Sequence, residues 1–183
     1  MALTLKNLEN IVWRATMMVL GLDPDSDSQD VQKQVRLSWP LSETGSPNWE
    51  RTESTTFIRI SPTNDTLNTT TDISYTEGIE KHRYYRCYDI YFVVYGDTAF
   101  ETGDRLRDGL LRQPIREYLA TSNLAWISGM GDSERTNEQD ATGEWWNRFD
   151  LRVQLYELAE RDYPVETYIG AMPDITIKAG GNS

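Results

Sequence analysis

The sequence predicts an α+β fold, a mostly antiparallel sheet with an N-terminal helix and a central helix pair packed on one face. Three observations predict it. Residues 5–20 repeat apolar side chains at helical spacing. Residues 84–95 form a long run of aromatic and β-branched side chains, followed at once by a glycine break and a helical pattern. Residues 148–157 alternate polar and apolar side chains without interruption. Helices so few are expected to gather against one sheet.

In the first helix Leu8, Ile11, Val12, Ala15, Met18, Val19 and Leu22 follow three-and-four spacing, with Trp13 and Met17 widening the stripe. Gly21 is placed to stop it, and Asp23 to Ser28 reads as a loop. Residues 33–39 alternate, with Val35, Leu37 and Trp39 on one face of a strand that Pro40 ends. Residues 41–54 read as a long polar loop, of a length often ordered by a partner or used in function. Thr55 to Ser61 is a second strand, with Phe57 opposed to Ile58 and Ile60. Residues 62–71 read as a polar loop, and Ile73 to Gly78 as the approach to the central strand.

The central strand runs from Tyr84 to Tyr95. After Gly96, Thr98 and Glu101 have the spacing of a capping box, and a helix follows to about Arg112. Ala99, Gly103, Leu106 and Leu110 share its inner face. Both Gly103 and Gly109 weaken a helix, and close packing on the sheet is the reason expected for the first. A shorter helix spans Pro114 to Leu119, and a short strand Leu124 to Ser128. Residues 129–143 read as a third polar loop. From Arg148 the alternation is strict, Phe149, Leu151, Val153 and Leu155 one way and Arg148, Asp150, Arg152, Gln154 and Tyr156 the other, so its register is firmly set. Tyr163-Pro164 reads as a turn, Val165 to Ile177 as a last strand, and 179–183 as a flexible tail. No internal repeat or boundary divides the chain, so residues 1–183 are expected to form one α+β domain.

Hydrophobic residues make up only 38% of the 183, although six Trp and ten Tyr add large buriable surfaces. That balance fits a sheet domain with long loops, or one that completes its burial against neighbours. A formal net charge of −11 argues against wrapping nucleic acid by phosphate neutralisation; it is compatible with a passage along which nucleic acid slides without adhering. The one cysteine, Cys87, lies mid-strand and is expected to be a buried thiol. The first ten residues do not read as a signal peptide, and no apolar run is long enough to span a membrane.

The pattern of an enzyme is missing. The one histidine, His82, sits among Glu80, Lys81 and Arg83 and reads as a surface residue before the strand. There is no Gly-x-Ser-x-Gly and no phosphate loop, and Gly129-Met130-Gly131 lacks the third glycine. Asp23, Asp25 and Asp27 alternate as calcium ligands do, but Ser28 and Gln34 stand where the calcium loop needs glycine and glutamate. Carboxylate pairs for sugar hydrolysis remain open in a chain with 29 acidic residues, yet nothing selects a pair. No catalytic residue, cofactor or metal ligand is therefore assigned.

The strand ending in Tyr95-Gly96-Asp97, the helix entered by Ala99-Phe100-Glu101, the segment Ile115 to Leu119 and the strand Trp145-Trp146-Asn147-Arg148-Phe149-Asp150-Leu151 form an ordered pattern over residues 55–178. It resembles the neck or tail terminator (tail completion) proteins of tailed bacteriophages. The resemblance implies a structural virion protein rather than an enzyme. It implies a ring, usually of six subunits, at the head-proximal end of the tail, which ends tail-tube polymerisation and gives the head connector a docking surface. The implied partners are other copies of the chain, the tail tube protein, head–tail connector proteins, and DNA passing through the lumen without sequence-specific binding; the implied location is the virion neck. A ring subunit needs two unlike surfaces that bind head to tail. Trp49, Arg86, Trp145, Trp146, Arg148 and Arg152 are the candidate subunit-interface residues, since Trp and Arg often anchor interfaces. Each has a plainer reading, a core position for the tryptophans and a solvated strand face for the arginines. The alternative function is a monomeric carbohydrate- or peptide-binding module, or a hydrolase, with Trp49, Trp145 and Trp146 lining its cleft.

Overall fold

The structure, a computed structural model, describes residues 2–37, 54–63, 71–127, 131–139, 143 and 145–165. Its centre is a pair of long antiparallel strands, β4 (Ile79–Tyr95) and β7 (Trp145–Pro164), paired from Ile79↔Pro164 to Tyr95↔Arg148. Around them lie β1 (Val35–Leu37), β2 (Thr55–Thr63), β3 (Thr71–Thr76), β5 (Leu124–Trp126) and β6 (Ser133–Gln139). The sheet order is β1-β2-β4-β7-β5, with β3 beside the first part of β4 and β6 beside the first part of β7. Among the described strands only β1 and β2 pair in parallel. The α+β fold with a mostly antiparallel sheet is thus observed.

Four helices accompany the described strands: α1 (Leu5–Leu20), α2 (Gln29–Gln32), α3 (Ala99–Gly109) and α4 (Gln113–Ala120). Helix α1 starts where Thr4 Oγ1 accepts the Asn7 amide at 3.2 Å. It ends at Gly21, whose φ of 74° lets the Gly21 and Leu22 amides return to the Met18 and Met17 carbonyls. Met17 is fully buried and Met18 exposed, the reverse of the weight given to them in the stripe. Trp13 Nε1 donates to the Val35 carbonyl at 2.9 Å and ties α1 to β1.

The core lies between these helices and one sheet face. Register places Ile58 beside Phe92, and Phe92 beside Leu151, with Tyr88, Ile90, Val94, Phe149 and Leu155 on the same side. Leu8, Val12, Leu106, Leu110, Ile115 and Leu119 cover them from the helices. Burying each large apolar side chain is worth about 1.5–3 kcal/mol. The inner face expected for α3 is observed, since Ala99, Gly103, Leu106 and Leu110 are all buried.

Several expectations are corrected. The 129–143 stretch contains β6, which has no apolar alternation and is held by backbone pairing to β7. Tyr163-Pro164 is the end of β7, still opposite Glu80 and Ile79, rather than a turn. Within 62–71, β2 continues to Thr63 and β3 begins at Thr71. Residues 73–78 are most of β3 plus a two-residue turn in which Glu77 and Gly78 both have positive φ, so β4 starts at Ile79 and His82 lies inside it. The capping box does not form: Thr98 makes no cap bond, and its hydroxyl instead meets Ser54 Oγ at 2.9 Å. Trp39, Trp49, most of the 41–54 loop, nearly all of the 165–177 strand and the 179–183 tail lie outside the described residues.

Candidate interaction surface

The other face of the sheet has no described helix against its centre and is built from alternate residues of β2, β4, β7 and β6. Arg59 pairs across to Tyr91, and Tyr91 to Arg152; Asp89 lies beside Gln154, and Tyr95 beside Arg148. A groove of about 630 Å³ runs between Arg59, Tyr91, Asp132, Glu134, Asp150 and Arg152. The alternation of β7 puts these polar side chains here, because Phe149, Leu151 and Leu155 take the core side.

The arginines of this face are held by partners within the chain. Arg148 grips both Asp150 oxygens, at 2.7 and 2.8 Å, and donates to Glu138 at 2.8 Å. Tyr95 donates to the same Glu138 oxygen at 2.8 Å. The Asp150 bond, with Glu138 adding to it, keeps the Arg148 guanidinium firmly charged against its partial burial. Arg152 reaches Asp89 Oδ2 at 2.9 Å while Gln154 donates to Oδ1 at 3.1 Å, so the buried Asp89 carboxylate has a partner on each oxygen. Guanidinium groups also lie over rings, Arg59 at 4.8 Å from the Tyr91 centroid and Arg148 at 5.7 Å from that of Tyr95. The result is a charged and aromatic surface with paired arginines.

The structure separates the other candidates. Trp146 joins this face, edge-on to Tyr95 with ring centroids 6.4 Å apart. Trp145 points to the opposite side and is 69% exposed. Arg86 lies on the core side, against Glu157. Sequence reasoning missed Glu157, which is 1% exposed. Its signal was available, a carboxylate at the position where the apolar alternation of β7 continues. Tyr88 donates to it at 2.9 Å, and burial followed by the Glu157 charge pushes the Tyr88 hydroxyl far above its ordinary value. Among the described residues no group of three or more His, Cys, Asp or Glu is placed to hold a metal ion, and no described helix is long and apolar enough to cross a membrane.

Residues 6–181 match the family described as phage neck terminator protein. The chain belongs to the phage neck terminator family. The match begins in α1 and takes in the 41–54 stretch, so the family pattern is wider than the 55–178 span of the resemblance. Among curated proteins none matches the sequence significantly. Membership makes this sheet part of a structural protein of the phage particle.

Proposed function

We propose that the chain is a ring-forming terminator of the phage tail. In this reading six copies close on the head-proximal end of the tail tube, stop its polymerisation and present a surface to the head–tail connector. DNA passes through the lumen without specific contacts. The observation that carries the reading is the family match across residues 6–181. The geometry supports it: a polar sheet face whose arginines are already paired suits packing against a neighbour, because less side-chain freedom is left to lose on contact. An overall charge of −11 suits a passage to which DNA does not stick.

Immunogold labelling of the phage particles tests it. Label confined to the head–tail junction, with ring-shaped particles of the purified protein in electron micrographs, is the expected result. Label along the tail or over the capsid would move the chain to another part of the virion. Saturable binding of a sugar or peptide to a monomer would favour the binding-module alternative.

A further inference from the structure

At both ends of the sheet's core-side face large apolar side chains are exposed. At one end β3, the start of β4 and the end of β7 form a three-stranded arm. The helices pack on β1, β4, β5 and β7, whereas all six residues of β3 are exposed. By register Ile73, Tyr75, His82, Tyr84, Arg161 and Tyr163 lie on the side of the arm that continues the core face. Tyr75 is 70% exposed, and Ile73 and Tyr163 are exposed too. The outer edge of β3 is unpaired among the described strands and carries one charge, Asp72. Exposed edges are commonly protected by charge. Edge strand β6 follows that rule with Glu134, Arg135 and Glu138, and β3 does not.

At the other end of the same face stand Trp145, and Phe100 where it meets Phe149 at a centroid distance of 5.9 Å; both are exposed. Exposed Asp97 and Glu101 flank Phe100, while exposed Arg161 flanks Tyr163. The two ends are therefore unlike in shape, and each carries both signs of charge: Glu80 with Arg161 on the arm, and Asp97 and Glu101 with Arg135 at the other end. The stretch of β7 between Trp145 and Tyr163 is about 60 Å long.

We propose that the arm of one copy docks its Ile73, Tyr75 and Tyr163 face on the Trp145–Phe100 end of a second copy. This contact rests on the ring reading above and names its surfaces. A head-to-tail contact needs two different patches on each subunit, and the sheet supplies one at each end. Copies of a chain with net charge −11 repel one another, so they meet where aromatic area is large and charges of both signs can pair. Arg161 facing Asp97 and Glu101, with Glu80 facing Arg135, orients the contact.

The test uses Tyr75→Glu and Trp145→Glu, both at exposed positions, with circular dichroism confirming that each folds. Sedimentation of the wild-type chain is expected to show association that grows with concentration. Each variant alone is expected to lose it. An equimolar mixture of the two is expected to recover one contact and stop at a dimer of two 21.1 kDa chains, because the intact arm of one meets the intact tryptophan end of the other. A monomeric wild type at every concentration, a variant that associates like wild type, or a mixture that stays monomeric overturns the contact. Immunogold labelling separates the two readings. Junction label with unaffected variants sinks the arm contact and leaves the neck role; label elsewhere on the particle sinks the neck role whatever the variants do.

Discussion

Arg86 Nη2 lies 2.6 Å from Glu157 Oε1 and 2.8 Å from the Leu3 carbonyl, and the Leu3 amide donates to the same Glu157 oxygen at 2.7 Å. One buried carboxylate thus clasps the N-terminal segment, β4 and β7 together. The Glu157→Gln variant keeps the shape but leaves Arg86 without its counter-charge. We expect a loss of about 2–3 kcal/mol, at or just below the roughly 3–5 kcal/mol of a fully buried pair because Arg86 is partly exposed. Urea unfolding measures it. A midpoint unchanged from wild type would mean that the clasp carries no stability.

Gly103 lies in α3 where an added Cβ would sit 2.0 Å from a ring carbon of Phe149. Alanine is the better helix former by about 1 kcal/mol, so a freely exposed Gly→Ala change would stabilise. Here overpacking costs about 1–3 kcal/mol and wins. Gly103→Ala is expected to lower the urea midpoint, and the double variant with Phe149→Leu to recover part of the loss. An increase in stability for the single variant would show that the ring simply moves aside.

That helix shows what was legible in the sequence. Gly103 stood at an apolar position of a helical pattern, and close packing on the sheet was its natural reading. Gly109 was not interpretable, because its reason is Val19 of α1, where an added Cβ would lie 2.3 Å from Cγ1. A contact between distant segments leaves no mark in either one. The central part of β7 was legible because its two faces differ, core against polar surface. Its extension past Glu157 was not, since a carboxylate takes a core position and both faces are exposed from Arg161 on. Strand β6, Ser-Glu-Arg-Thr-Asn-Glu-Gln, owes its place to backbone pairing and to the Glu138 contacts, neither of which imposes a hydrophobic period. Arg148 and Arg152 were named as interface candidates, and both are bound within the chain. Their carboxylate partners within the chain, Asp89 and Glu138, come from other strands and were invisible.

The Tyr95–Glu138 bond makes stability depend on pH in a defined direction. Burial first, then the bond to Glu138, pushes the Tyr95 hydroxyl up to about 12. The Tyr95 bond, followed by that of Arg148, holds Glu138 below the usual glutamate range. Tyr95 therefore contributes fully below its ordinary pKa of about 10, and that contribution is lost as pH rises from there through about 12. Glu138 contributes fully above its ordinary pKa and loses that contribution as pH falls through its lower folded value. Thermal midpoints of wild type and Tyr95→Phe are expected to differ most near neutrality. The gap should narrow towards both extremes. A gap constant across the whole range would disconnect the bond from stability.

Cys87 reports how the centre of the sheet opens. It is buried at 2% exposure, between Thr63 of β2 and Tyr156 of β7, next in sequence to Arg86. Its side chain lies on the polar face with Asp89 and Tyr91, so a thiol reagent reaches it when the side chains packed over it or the strands beside it open, and the labelling rate of the native protein measures that opening. Two routes are distinguishable with the variants above. If the strands part only when the whole sheet unfolds, Glu157→Gln and Gly103→Ala both speed labelling according to the stability each loses, roughly 30-fold for about 2 kcal/mol. If the clasp end opens by itself, only Glu157→Gln speeds it, because Gly103 packs on Phe149 at the far end of β7. The uninterrupted pairing of β4 with β7 from Ile79 to Tyr95 favours the first route, since no break in the ladder marks off a separate opening unit. Acceleration by Glu157→Gln alone would overturn that expectation and place a hinge between the arm and the helix-covered half of the sheet.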